Sequence, residues 1–318
     1  MRLLFAAIVL ASAASAAGPV TGMLVDEQTR SICPIIATED ETAYAGRAAV
    51  RSFDFASAAP DGRNALVARD GTLYLIRRLD GVLPVWRELS AEEVRVARAA
   101  WSDNSESLAL INSDANRLDL WSNVATDPKR NGFVDLTSIW ERVVSLAVSR
   151  DAKFAFAATQ GEESGTLYLL KPGQEPRMLM PLSKAGVIQL IGDALYIADR
   201  GRSEVLRLTN WDQTPGVATL ASAGQGLVDP VGFALSGNKK VLSVASAGTQ
   251  QVLDIDLNSG AVKGAIDLDF KPTSFDRLGQ GTLFLLAKAV PGARPAQVLD
   301  AGTQKLIPVS VSAVAAAE

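Results

Sequence analysis

The chain contains no histidine. That removes the commonest acid–base group and metal ligand of proteins. His-based triads, His-ligated zinc and histidine general bases are excluded with it. A single cysteine, Cys33, stands among 318 residues, so no internal disulfide can form. It sits in the apolar run Ser31-Ile32-Cys33-Pro34-Ile35-Ile36 and reads as a small buried hydrophobe. Only Arg30 is close enough in sequence to lower its thiol pKa. Clustered positive charge is also lacking. The net charge is −4, and Lys129-Arg130 and Lys239-Lys240 are isolated pairs. Neither nucleic acid nor an anionic membrane surface fits that balance. After the first residues, no stretch is long and apolar enough to span a bilayer, which takes about 20 residues.

Those first residues form a leader. Arg2 gives the positive start, Leu3 to Leu10 the apolar core, and Ala14-Ser15-Ala16 an A-x-A cleavage signature. Residues 1–16 are expected to be a signal peptide, with a mature chain starting near Ala17 or Gly18, periplasmic or secreted. Arg30-Ser31-Ile32 before Cys33 does not look like a lipoprotein cleavage box.

Beyond the leader a pattern recurs at intervals of roughly 43 residues. Val231 to Leu235 reads as a first strand and Ser236-Gly237-Asn238-Lys239 as a turn. Lys240 to Ala245 is a second strand and Gln251 to Asp256 a third. Asn258-Ser259-Gly260 turns again into a fourth, Ala261 to Leu268. The same grammar places first strands near residues 51, 96, 143, 187, 230 and 272. The second strands are almost wholly apolar, as strands packed on both faces require. Ser90-Ala91-Glu92-Glu93 has a capping-box pattern, read as one turn or a loop between repeats. Four-stranded antiparallel units of this length predict an all-β fold, a β-propeller. Seven blades are favoured, one incomplete and closed by the N-terminal segment; six plus an N-terminal hairpin is the alternative. Gly22 to Val25 and Ile32 to Ile36 read as a third-and-fourth-strand hairpin without partners. No linker divides residues 17–318, which are expected to form one monomeric domain. The Ala-rich end from Ser312 to Glu318 is read either as disordered or as adding strand pairing.

Individual repeats resemble known ones. Leu195-Tyr196-Ile197-Ala198-Asp199-Arg200-Gly201-Arg202 is similar to the core of NHL-type repeats. Val252-Leu253-Asp254 through Gly260, then Pro272 and Gly281 to Leu285, resembles a YVTN-type repeat. Pro60-Asp61-Gly62-Arg63 resembles the Pro-Asp-Gly-Lys turn common to both. The likeness covers residues 51–311 and implies the fold only. The opening, Leu24 to Gly46, resembles the start of some uncharacterised exported bacterial propellers. WD-type signatures are absent, because Trp211-Asp212 falls in a loop and Ser122 follows Trp121.

No catalytic constellation emerges. Asn112, Asp114 and Asn116 have the alternating oxygen spacing of a calcium loop. Arg117 replaces its glycine, however, and Asn123 its final glutamate, so a polar turn is the better account. Gly224-Gln225-Gly226 lacks the lysine and helix of a phosphate loop. No cofactor and no metal is expected. The candidates lie on second-to-third-strand connections and at first-strand starts: Asp70, Asp114, Asn116, Arg142, Asp199, Arg200 and Arg202. Asp199-Arg200 is the best pair, because its loop is tight. An exported, non-enzymatic binding or interaction scaffold is the reading, with an unknown protein, or a small anionic or sugar-like ligand, at the propeller face. A histidine-free, divalent-cation-dependent hydrolase or lactonase is the alternative.

Overall fold

A computed structural model describes residues 20–37, 43–46, 48–81, 83–90, 92–290 and 294–309. The leader and the residues after Val309 lie outside these. Within them the chain forms seven four-stranded antiparallel sheets. Blade 1 runs from Val20 to Arg51, blade 2 from Phe55 to Ser90, and blade 3 from Val96 to Asp135. Blade 4 covers Arg142 to Leu182, blade 5 Ala185 to Ala221, blade 6 Pro230 to Asp267, and blade 7 Asp276 to Val309. Seven separate apolar clusters fill the spaces between neighbouring blades. One of them joins Leu24, Cys33 and Ile35 of blade 1 to Leu278, Leu285 and Val298 of blade 7. The sheets therefore close into a ring, a seven-bladed β-propeller.

Burial within a blade falls from axis to rim, and the sequence follows it. In blade 6 the innermost strand, Pro230–Leu235, is buried at every position, whereas Val262–Asp267 at the rim is mostly exposed. Close approach near the axis demands small residues. A methyl group on Gly232 would meet Cβ of Phe275, from blade 7, at 2.7 Å.

The turn between first and second strands repeats one chemical device. Ser236 Oγ accepts the N–H groups of Lys240 and Val241 (3.2 and 2.9 Å). Ser149 Oγ likewise accepts those of Lys153 and Phe154 (3.0 and 3.2 Å). In blade 2 Asp61 Oδ1 takes the N–H groups of Arg63 and Asn64 (2.8 and 3.1 Å). These side chains mimic backbone acceptors and fix the turn. Its fourth residue lies in the left-handed region: Gly62, Ser105, Ala152 and Lys239, at φ between 51° and 68°. Only Gly62 does so without steric cost.

Two sequence expectations need correction. Blade 1 holds second, third and fourth strands, not a third-and-fourth hairpin. The residue after an outermost strand donates its N–H to the last residue of the second-to-third turn: Val94 to Gly71, Leu136 to Asn116, Leu268 to Gln250. In blade 1 the matching bond is Ser52 to Arg30 (2.9 Å). Val20–Asp26 and Ser31–Ala37 are therefore the second and third strands, and Ala43–Ala45 and Val50–Arg51 share the fourth place. Next, the strand expected from Arg51 to Ala56 is divided between two blades. Ser52, at φ 58°, breaks it, and blade 2 begins at Phe55. The 3₁₀ turn Ala223–Gln225 is the one helical element among the described residues, and no helix is long and apolar enough to cross a membrane.

The outermost strands do not pair smoothly. In blades 2 to 6 the register between third and fourth strands shifts by a bulge, as at Leu73/Tyr74 and Leu120/Trp121. Bulged strands twist more strongly and leave their ladder locally broken.

Cys33 is buried. Burial pushes its thiol pKa up, which keeps it protonated and unreactive.

Candidate functional site

All second-to-third turns and all blade-to-blade connections lie on one face of the ring. That follows from antiparallel sheets whose chain enters each blade at the axis. The sequence-derived candidates are distributed around this face rather than gathered at one point. Asp70 belongs to blade 2, Asp114 and Asn116 to blade 3, Arg142 to blade 4, and Asp199, Arg200 and Arg202 to blade 5.

Asp199 is wholly buried. Its carboxylate accepts the backbone N–H groups of Ser183 (2.9 Å), Lys184 (3.1 Å), Gly201 (3.2 Å) and Arg202 (3.2 Å). It thereby ties the connection from blade 4 to the turn of blade 5, and Arg202 Nε stands 3.8 Å away. Arg200 turns from Asp199 toward the next connection. Its Nε and Nη2 donate to the two oxygens of Asp229 (2.7 and 3.0 Å). That bidentate pairing holds the Asp229 carboxyl below the usual carboxylate range, with Lys184 and Lys271 adding to it. Asp199 thus organises the loop internally, and Arg200 presents a fixed charge at the surface.

Asp70 and Asp114 are exposed, as is Asn116. The proposed cation loop is a side-chain-capped turn: Asn112 Oδ1 accepts the N–H of Asp114 at 3.2 Å. Among the described residues no group of three or more Asp, Glu, Cys or His side chains is placed to hold a metal ion.

Exposed cations stand on this face among exposed carboxylates such as Asp70 and Asp114. Lys184 and Lys271, both exposed, are near enough to Asp229 for their charges to help lower its pKa. Arg98 and Arg142, on the innermost strands of blades 3 and 4, have no ion-pair partner among the described residues within 4 Å. Burial first, and then the Arg142 charge, lower the Arg98 pKa. The two guanidiniums are close enough for the charge on one to weigh against the charge on the other. Beside them Trp140 is 92% exposed, a large aromatic surface with no packing role.

Two features escaped the sequence. Trp140 precedes Glu141, whose carboxylate lies 3.3 Å from Tyr168 Oη, and nothing in its local sequence marked it as exposed. Asp119 is buried between Arg117 (Nε, 3.2 Å) and Arg130 (Nε, 3.0 Å), beside a cleft of about 310 Å³ between blades 2 and 3. Its partners are separated by a strand hairpin, which single-chain spacing does not reveal.

The Arg200–Asp229 pair has a pH signature. Asp229 binds a proton less tightly folded than unfolded. Its contribution to stability is therefore complete above the unfolded carboxylate pKa, near 4, and is lost as pH falls through the lower folded value. Asp229→Asn is expected to cost about 1–2 kcal/mol at pH 7, with the deficit closing as the pH falls below the unfolded carboxylate range and through the lower folded value. Urea titrations of both proteins across that range measure it; a pH-independent deficit would reject the ion pair as its source.

No protein-family model and no curated protein matches this chain. Solved structures do. A protein of unknown function from Desulfotomaculum acetoxidans superposes with a TM-score of 0.58 at 14% identity, over 90% of this chain and 93% of that one. The β-propeller domain of Cps50 (Swd1) from Myceliophteria thermophila gives 0.53 at 11%, over 91% and 96%. A proposed 6-phosphogluconolactonase from Bacteroides uniformis gives 0.50 at 14%, over 79% and 81%. At these identities the likeness shows the fold alone.

Proposed function

We propose that the protein is an exported, non-enzymatic β-propeller, built from degenerate YVTN- and NHL-type repeats, that captures an anionic ligand or an acidic protein surface. The leader at residues 1–16 supports export to the periplasm or beyond the cell. One observation carries the binding reading: the connection face holds Lys184, Lys271 and Arg142, all exposed, and none of the three has an ion-pair partner within 4 Å among the described residues. Fixed cations at a surface raise the local concentration of anions. The cation-dependent hydrolase or lactonase is the second reading, and the structural neighbour named as a proposed 6-phosphogluconolactonase is reason to test it.

The test is calorimetric titration with citrate, 6-phosphogluconate and an acidic polysaccharide at two salt concentrations. At least one should bind with salt-sensitive affinity. Lys184→Ala with Lys271→Ala and Arg142→Ala should weaken it about tenfold or more without moving the unfolding midpoint. These side chains are exposed, so the fold does not depend on them. Salt-insensitive binding, or full affinity in the triple variant, would overturn the assignment of this face. Lactone turnover dependent on added calcium would favour the hydrolase.

A further inference from the structure

First-to-second and third-to-fourth turns lie on the face opposite the connections, because the strands of each blade alternate in direction. Between the turns of blades 2 and 3 that face holds a cavity of about 570 Å³. Small-molecule sites span about 300–1,000 Å³. Three arginines, Arg63, Arg77 and Arg78, and one carboxylate, Asp80, stand in its lining, and Val85 and Ala125 add apolar wall. The arginines are not bonded alike. Arg63 Nε pairs with Asp80 Oδ2 at 3.2 Å. Arg77 is half-buried, and its Nη1 donates to the backbone oxygens of Ala125 (3.0 Å) and Thr126 (3.2 Å) in blade 3. Those bonds fix the guanidinium across the seam. Its Nε and Nη2 donate to no described residue, and it has no ion-pair partner among them. The exposed side chain of Arg78 has neither a hydrogen bond nor an ion pair among the described residues. Asp127, at the same seam, is paired with Arg87 at 3.0 Å.

Comparison of the blades shows that the turn itself does not require this arginine pair. The third strands of blades 2, 3 and 5 end at Arg77, Ser122 and Thr209. The next residue is left-handed in each: Arg78 at φ 59°, Asn123 at 53° and Asn210 at 54°. Asparagine enters that region far more readily than arginine, whose side chain gains nothing from the local backbone there. A side chain held in a disfavoured backbone state points toward function. Here the backbone also has a use. Neighbouring residues of an extended strand point to opposite faces. The left-handed step at Arg78 departs from that alternation, and both arginines line one cavity.

We propose that this cavity binds a small organic dianion, with Arg77 and Arg78 as its anchors. The guanidinium fork matches the paired oxygens of a carboxylate or a phosphate, and the volume leaves room for a carbon body against Val85 and Ala125. The test is calorimetric titration with glucose 6-phosphate and succinate, with inorganic phosphate and glucose as controls. At least one of the two organic dianions should bind, more weakly at higher salt, and which one does identifies the acidic group. Glucose should not bind. Arg78→Asn, the residue type of blades 3 and 5 at this position, should weaken the binding about tenfold or more without lowering the unfolding midpoint. The connection-face variant Lys184→Ala with Lys271→Ala and Arg142→Ala should bind as the unaltered protein does. Failure of both organic dianions to bind overturns the proposal, as does inorganic phosphate binding as tightly as they do. Full affinity in Arg78→Asn, or a lowered midpoint, would make Arg78 a turn residue only. Affinity lost in the connection-face variant would move the anion to the other face and overturn this site while leaving that one standing.

Discussion

Asp199→Ala should destabilise the protein by about 3–5 kcal/mol, the range for breaking a buried, fully satisfied charged network. The carboxylate is completely buried and accepts four backbone N–H groups from two connections. Alanine leaves those donors without an acceptor inside the protein, and each unsatisfied group costs about 1–3 kcal/mol. Water entering the vacated space would recover part of that. Asp199→Asn keeps one acceptor oxygen but aims an amide donor at donors, so roughly half the loss is expected. Urea denaturation gives both values. A change below about 1 kcal/mol for the alanine variant would show that Asp199 does not anchor the loop and is free for a ligand. The result also governs how binding experiments are read: lost capture in an Asp199 variant reports a disordered connection, whereas lost capture in a Lys184 or Lys271 variant reports the surface itself.

Phe156→Ala should be comparably severe, at about 3–5 kcal/mol. Phe156 is fully buried between blades 4 and 5, among Leu167, Leu169, Ile188, Leu195 and Ile197. It meets Phe154 and Trp211 edge to face, with ring centroids 5.6 and 5.2 Å apart, an arrangement that adds to simple burial. Truncation opens a cavity at a seam held by side-chain packing, where no strand of one blade pairs with a strand of the next. Phe156→Leu fills most of that space and should cost about 1.5 kcal/mol or less. Urea denaturation of both variants measures the cost. A Phe156→Ala protein with an unchanged midpoint would show that blades 4 and 5 do not depend on their shared apolar layer.

The architecture was largely legible because the repeat is written in local chemistry. Ser149 and Asp151, like Ser236 and Asn238, announce a turn at fixed distance before an apolar second strand, and the structure puts hydrogen bonds where those residues stand. Blade 1 was misplaced for a matching reason. No described residue forms a first strand before its hairpin, so nothing there anchors the count. The break at Ser52 was invisible too, because a left-handed serine carries no signal that a glycine would. Of the candidate residues, their shared face was legible from repeat position. Their division of labour was not. Asp199 and Arg200 are adjacent in sequence, yet one turns inward to backbone donors and the other outward to Asp229. That separation depends on the connection from blade 4, which arrives from fifteen residues away, and on Asp229 from beyond the end of the same blade.

The bulges at the rim bear on how such a molecule behaves in company. Seven open sheet margins could act as templates on which further chains stack, the route by which β-rich proteins become fibres. An interrupted ladder offers an incoming strand no continuous row of partners, and the added twist spoils any flat stacking. In blades 2 to 6 a guard against edge-to-edge stacking is thereby written into the backbone itself, independently of surface charge. Straightening one margin by deleting the extra residue would be a route to unwanted polymerisation.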